Sequence, residues 1–432
     1  MTGAATAVDV VVAGAGAGGL AAARALADGG RRVLVLDSRR TPVPTAKGEI
    51  LQPESVRVLD RWGVLDALRS TGARPVDRLA IRDPHGRSLL SIDYGVLPDP
   101  HRQIVCAEYA DLCHVIAAAV PPTVEIMRGV RVTDALRDGD GRVCGVRTVG
   151  HGDAGGTEIR AGLVVAADGM SSPLRRAAGI EVDRREYPHR LLAFDLGAEV
   201  GGVDVADELS AYRTARGLCL VYPLPRARCR LYVQVRPDEF RSGGMTDLPG
   251  WCDRLLADVP ALGPLLGGPL AAAVRAGPHR RQLFAVYRLR ARRLSVPGLA
   301  LVGESAHAVH PMAAQGVNSS LTDAMTLAEA VAAEPEVDRA LEVYHATRRP
   351  RLDHIATVSH NAARMITSTS GPAKLLGGRM MRRTAANPRL LRRTAGNLSG
   401  TDVRPLTFVD RLYQLGLLVD RHAQTLTPSE AG

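Results

Sequence analysis

The chain has 432 residues, 46% apolar and 23% charged, which is enough for one large core or two intimate ones and argues against disorder over most of its length. Its net charge of +10 is carried almost wholly by arginine, Lys47 and Lys374 being the only lysines; this fits a solvated basic surface or attraction for an anionic cofactor, substrate or membrane. The six cysteines show no two-residue spacing, against a zinc ribbon or redox dithiol, and no apolar run is long enough to span a bilayer.

The β-branched run Val8–Val12 predicts a strand, Leu20–Ala27 a helix ended by Gly29 and Gly30, and Val33–Leu36 a second strand. Between the first strand and the helix stands Gly14-x-Gly16-x-x-Gly19. Its glycines allow a tight turn, close approach of a pyrophosphate, and packing of the helix on the sheet. The phosphates would sit at the helix N-terminus, where free N–H groups favour anions. Asp37 follows about 20 residues later, where an acid binds a ribose hydroxyl. The pattern predicts an ADP-containing dinucleotide and serves FAD and NAD equally.

A helical pattern follows from Glu54 to Leu68, then hairpin strands around "DPHG" at 83–86, then a helix over 108–120. A meander from Val124 to Ile159 carries the turns "DGDG" and "HGDAGG". The buried strand "LVVAADG" leads into Asp168-Gly169-x-x-Ser172-x-x-Arg175, where Asp168 can accept hydrogen bonds and Arg175 can hold phosphate or brace the turn. Ser172 with Pro173 also reads as a plain helix cap. Residues 185–295 alternate apolar and polar and predict an inserted antiparallel sheet. Strand, turn and helix return over Leu299–Ala332, and the remainder is helical and arginine-rich.

The stretch "LVGESAHAVHPMAAQGVNSS" places Glu304, His307 and His310 at spacings a metal could use. The preceding strand, Pro311, Gly316 and the helix beginning near Asn318 fit a cofactor cradle better, with His307 a structural hydrogen-bonding residue. No metal ligand is assigned. No Ser/His/Asp or Cys/His constellation stands out, and nothing suggests a nucleic-acid-binding fold.

In this order and separation, the three motifs resemble those of the group A flavin monooxygenases, the family of p-hydroxybenzoate hydroxylase. Their third motif reads G-D-x-x-H-x-x-x-P-x-x-G-x-G-x-N. The resemblance implies a Rossmann-like α/β FAD-binding domain with an inserted antiparallel substrate sheet and a C-terminal helical region. The corresponding segments are 1–182, 183–296, 297–350 and 351–432. Gly14, Gly16, Gly19 and Asp37 would hold the ADP half of FAD, Lys47 would also contact the cofactor, and Asp168 and Gly169 would touch both FAD and the NADPH approach. Gly303, Glu304, Pro311, Gly316, Val317 and Asn318 would line the ribityl chain and ring. Three departures are visible: Glu304 replaces aspartate, Ala314 replaces glycine, and Tyr109 stands where an arginine often precedes Asp-Leu. The segments "KGEILQP" and "SGTDVRPL" are also similar to squalene epoxidases, implying an apolar or isoprenoid-like substrate.

The implied activity is NADPH- or NADH-driven insertion of one oxygen atom from O2 through a flavin C4a-hydroperoxide, hydroxylating or epoxidising a hydrophobic aromatic, polyketide or isoprenoid compound. The flavin carries the chemistry, and no protein acid, base or nucleophile is assigned. A flavin reductase or desaturase is the alternative enzyme; a flavin-binding regulator is the alternative outside enzymes. Phe194, Tyr212, Leu220, Tyr222, Tyr232 and Phe284 are candidate substrate-pocket residues by their character on predicted strands. The basic tail reads either as a helical cap or as a peripheral membrane contact. The opening residues lack a charged signal-peptide region, so the cytoplasm is expected, with membrane association through that tail the variant.

Overall fold

The computed structural model describes residues 7–42, 45–97, 101–150, 156–239, 247–402 and 404–424. All but the last residue of the turn read at 151–156 lies outside them. Ala7–Ala13 is the centre of a parallel sheet, flanked by Thr157–Ala166 and Val33–Asp37, with Leu299–Leu301 and Val124–Arg128 next outward. The stretches Val10–Ala13, Val33–Leu36, Leu163–Ala166 and Leu299–Leu301 are continuously apolar and buried because helices or a meander cover both faces. Ala17–Asp28 packs on one side and Gly316–Ala333 lies beside it. Gly14, Asp37, Asp168 and Gly303 all follow or end parallel strands at their carboxyl ends, where such sheets bind ligands.

The second sheet has the order His307–Ala308, Arg281–Ala291, Val182–Leu196, Arg228–Val235, Leu218–Leu224, Glu208–Arg213, Arg78–Arg82, Ser88–Asp93. Its last two strands come from the first segment: Arg78–Arg82 pairs in parallel with Glu208–Arg213, so the early hairpin extends the inserted sheet. At the other edge, His307–Ala308 ties the third motif to that sheet. The 185–295 segment also contains two helices, Leu248–Asp258 and Gly263–Ala276.

Alternation along the strands sorts the sheet into two faces. Leu191, Ala193, Leu220, Tyr222 and Tyr232 share one core with Ile366, Met381 and Ala395 of the C-terminal helices. Leu192, Phe194, Val221 and Leu231 point the other way, onto Trp251, Leu255 and Leu266. The Glu54–Leu68 pattern is two helices, Pro53–Arg61 and Leu65–Ser70, with Gly63 between them at φ +68°. Val337–Thr367 is one helix running through Pro350, across the boundary expected at 350. Among the described residues no single helix is long and apolar enough to cross a membrane.

Candidate flavin site

A cavity of about 890 Å³ runs from the carboxyl ends of the parallel strands to the apolar face of the second sheet. At its nucleotide end, two glycines are fixed by backbone contact. A Cβ on Gly14, at φ +105°, would lie 2.3 Å from the Ala167 carbonyl oxygen; one on Gly19 would lie 1.8 Å from that of Gly14. Gly19 therefore serves helix–strand packing and does not line the cavity, whereas Gly14 and Gly16 do. Asp37 lines it too, with Oδ2 accepting from the Ala15 N–H at 2.7 Å and Oδ1 from the Arg39 N–H at 2.7 Å.

Tyr109 also reaches this turn. Its hydroxyl accepts from the Ala17 N–H at 3.0 Å, satisfying one of the free donors at the helix start. Its ring leaves no room for a Cβ on Gly48, which would lie 2.8 Å away.

Asp168 and Gly169 line the middle of the cavity. Asp168 Oδ2 accepts from the Leu174 N–H at 3.2 Å, while Oδ1 is buried without a hydrogen-bond partner. Burial pushes this carboxyl upward, against the opposing pull of the Ser172 side chain, the Leu174 amide and, more weakly, Arg175. Arg175 braces the turn: it donates to the carbonyls of Ser305 at 2.7 Å and Met170 at 2.8 Å, joining the second motif to the third. Ser172 caps the short helix by accepting from the Arg175 N–H.

The third motif rests on a buried carboxylate that the sequence reading missed. Asp323 accepts from the Gly303 N–H at 2.9 Å, from His307 Nε2 at 2.7 Å and from Arg348 Nε at 2.6 Å. Burial alone would raise this carboxyl, but His307 and Arg348 bring it down to about 2. His307 is thus a hydrogen-bonding partner inside the core. His310 Nδ1 accepts from the Met312 N–H at 3.1 Å, so its proton sits on Nε2 and is donated to His189 Nε2 at 2.9 Å. The two histidines of the apparent metal triad therefore face different partners, and Glu304 extends, exposed, into the cavity.

Pro311, Gly316 and Val317 line the cavity. Asn318 does not: it staples the neighbouring loop, accepting from the Gln52 N–H at 2.8 Å and donating to the Ile50 carbonyl at 3.0 Å. Asp323 and Arg348 lie 20 and 25 residues apart from their partners along the chain, on helix faces with no motif to mark them.

Of the candidate pocket residues, Leu220, Tyr222, Tyr232 and Phe284 line the far end. Phe194 and Tyr212 do not: alternation puts both on the back of the sheet, Phe194 stacked 6.3 Å from Trp251. Lys47 stands at the junction, its ammonium 4.9 Å from the Phe284 ring centre. Glu49, quoted within "KGEILQP" but not assigned, is buried beside the cavity. Its carboxylate receives Arg230 at 2.6 and 3.0 Å and the Tyr222 hydroxyl at 2.7 Å. Burial keeps the Tyr222 hydroxyl protonated well above its ordinary range, and the Glu49 charge adds to this.

The residues fit FAD. The glycine turn, the orphaned Asp168 Oδ1 and the free N–H groups at the start of Gly316–Ala333 are what a pyrophosphate, hydroxyls and an electron-rich ring edge require.

Comparison with known proteins agrees with this geometry. A family model described as an FAD binding domain matches residues 7–359. The 6-methylpretetramide 4-monooxygenase of Streptomyces rimosus is 28% identical over 400 residues, covering 90% of this chain and 92% of its own. The 2-heptyl-3-hydroxy-4(1H)-quinolone synthase of Mycobacteroides abscessus is 29% identical over 391 residues, covering 88% and 97%. Among solved structures, Pseudomonas aeruginosa PqsL in complex with 2-aminobenzoylacetate superposes with a TM-score of 0.72 at 26% identity, covering 86% and 99%. The p-nitrophenol 4-monooxygenase PnpA of Pseudomonas putida, at 22% identity, shares the fold with a TM-score of 0.75, covering 93% and 100%. With its cofactor cradle and a match over residues 7–359, the chain belongs to the FAD-binding group A flavoprotein monooxygenases and acts with FAD, NAD(P)H and O2 on a small molecule.

Proposed function

We propose that the protein hydroxylates an electron-rich aromatic or polyketide-derived ring carrying at least one hydroxyl or N–H group. One observation carries this reading: the cavity continues from the cofactor cradle into a chamber faced by Leu220, Tyr222, Tyr232 and Phe284, with the fixed polar cluster of Glu49 and Arg230 behind it. The rings of Tyr222, Tyr232 and Phe284 succeed one another at 6.2 and 6.5 Å, a wall suited to a flat substrate. The aromatic and polyketide compounds named for the relatives support this class.

When bound, FAD supplies reduction by NAD(P)H and activation of O2. This chain's residues would hold it and place the substrate. Gly14, Gly16 and the first turn of Ala17–Asp28 would receive the pyrophosphate, Asp37 and Asp168 would accept from hydroxyls, and the start of Gly316–Ala333 would face the ring's electron-rich edge. The Tyr222 proton is committed to Glu49, so its oxygen can only accept, from the neighbouring Tyr232 hydroxyl or from a substrate hydroxyl or N–H. Arg230 prevents Glu49 from turning away, and the apolar walls exclude water.

The test is NAD(P)H consumption by FAD-loaded protein with a panel of phenolic, polycyclic and polyene compounds under labelled O2. A product gaining one labelled oxygen on a ring carbon is expected. A product without label sinks the reading in favour of reduction or desaturation; label only on polyenes replaces hydroxylation with epoxidation.

A further inference from the structure

Large apolar side chains that stand well exposed are concentrated in one place. Among the described residues, all those at 45% exposure or more lie between Leu375 and Val419. Leu375 and Phe408 are each 78% exposed, Leu417 66% and Val419 86%. They belong to an ordered unit. Helix Gly371–Ala385 packs on helix Phe408–Leu415, with Gln414 Nε2 donating to Thr384 Oγ1 at 3.0 Å and Gly416 set against Arg379 and Arg383. Thr407 and Asp410 cap the second helix reciprocally, so Phe408 sits on a fixed turn.

The same unit carries most of the molecule's charge. From Gly371 to Gln424 there are ten basic and three acidic residues, +7 against +10 for the whole chain. All three acids are already paired: Asp402 with Arg404, Asp410 with Arg389 and Arg393, Asp420 with Arg389. Arg379, Arg382 and Arg383 are exposed and have no carboxylate partner among the described residues.

We infer that this helical pair docks on the surface of an anionic phospholipid bilayer. Exposed leucines and a phenylalanine beside unneutralised arginines match a layer that is apolar within and negative at its face. A second copy of the chain would oppose like charges, and a neutral apolar partner would leave the arginines unanswered.

The test uses the FAD-loaded full chain in sedimentation with vesicles of phosphatidylcholine alone and of phosphatidylcholine mixed with phosphatidylglycerol. Binding only to the mixed vesicles, falling as salt rises, is expected. Phe408→Asp with Leu417→Asp should abolish it, and Arg382→Gln with Arg383→Gln should weaken it by about tenfold or more. All four sites are exposed, so retained FAD absorbance and helix content verify the fold of each variant. Failure of the wild type to sediment with mixed vesicles at low salt overturns the inference, as does unchanged binding by both variants. Self-association that Phe408→Asp with Leu417→Asp disrupts, without vesicle binding, assigns the face to a second copy instead. Binding of soluble polyglutamate as strong as that of vesicles, and indifferent to Phe408 and Leu417, makes it a charge contact alone.

Discussion

Two residues of the third motif show how a departure from a family pattern acquires physical content. Glu304 stands where aspartate is usual. The turn before it does not depend on its carboxylate, because Asp323 already holds the Gly303 N–H. Its carboxylate is exposed in the cavity and available to a cofactor hydroxyl. Glu304→Ala should therefore weaken FAD binding by about tenfold or more, the loss of one charge-assisted hydrogen bond, without lowering the unfolding temperature. Fluorescence titration of FAD checks the first part; Glu304→Asp recovering less than half of the lost binding energy would show that the extra methylene is needed for reach. Ala314 stands where the pattern has glycine, yet its backbone keeps the left-handed conformation at φ +50°. A Cβ there costs about 1–2 kcal/mol, partly offset by glycine's greater freedom in the unfolded chain. Ala314→Gly should stabilise the protein by about 0.5–1 kcal/mol in denaturant titration, and a loss of stability would show that the alanine methyl packs usefully against its neighbours.

At the scale of elements, the parallel strands, the glycine turn and the strand–turn–helix of the third motif were legible because apolar runs and glycine spacing are local signals. Asp323 and Arg348 were not, since a buried ion pair between two helices leaves no periodic trace. The helices Leu248–Asp258 and Gly263–Ala276 were absorbed into a predicted sheet; their apolar residues answer to the back of that sheet, which only the tertiary structure reveals. The early hairpin's place in the second sheet rests on a parallel pairing across more than 100 residues. A similar long-range contact governs the loop Pro311–Ala314, fastened to the second sheet by His310 and His189, with Tyr187 and His360 packed beside them. Burial lowers His189 from 6.5 to about 4; burial, with His189 and His360 alongside, lowers His310 to about 3. Both are neutral in the fold, while the unfolded chain takes up protons near 6.5. Their neutral pairing is therefore fully compatible with the fold above about pH 6.5, and stability falls as pH drops from there toward 4. Unfolding temperature measured from pH 8 to 5 should decline in the wild type and more shallowly in His189→Gln; parallel declines would remove this pair from the acid sensitivity.

At the scale of the whole molecule, the parallel sheet supplies the cofactor cradle and the second sheet the substrate wall, while the C-terminal helices pack into the core behind that wall and, among the described residues, contribute no side chain to the cavity lining. The helical character of the tail was legible, but not its position, because the residues it contacts lie on strands more than 100 residues earlier. Arg213 is one of the fastenings. It projects from the cavity-side face of strand Glu208–Arg213 and donates to the carbonyls of Lys374 at 2.6 Å and Ala373 at 3.1 Å, holding the start of helix Gly371–Ala385. That helix brings Met381 into the same core as Leu220, Tyr222 and Tyr232. Arg213→Ala removes two charge-assisted bonds at a nearly buried site, for an expected loss of about 2–4 kcal/mol. Its functional consequence should be separable from that loss: loosening the helices that share a core with Leu220, Tyr222 and Tyr232 loosens the wall of a chamber whose chemistry depends on excluding water. At a temperature where the variant remains folded and FAD-loaded, NAD(P)H oxidation should continue, while the yield of oxygenated product per NAD(P)H falls and hydrogen peroxide accounts for the difference. Arg213→Lys, which keeps the charge but cannot span both carbonyls, should lie between the two. An unchanged product yield in Arg213→Ala, with only the unfolding temperature reduced, would make the C-terminal helices a brace for the fold and leave water exclusion to the two sheets.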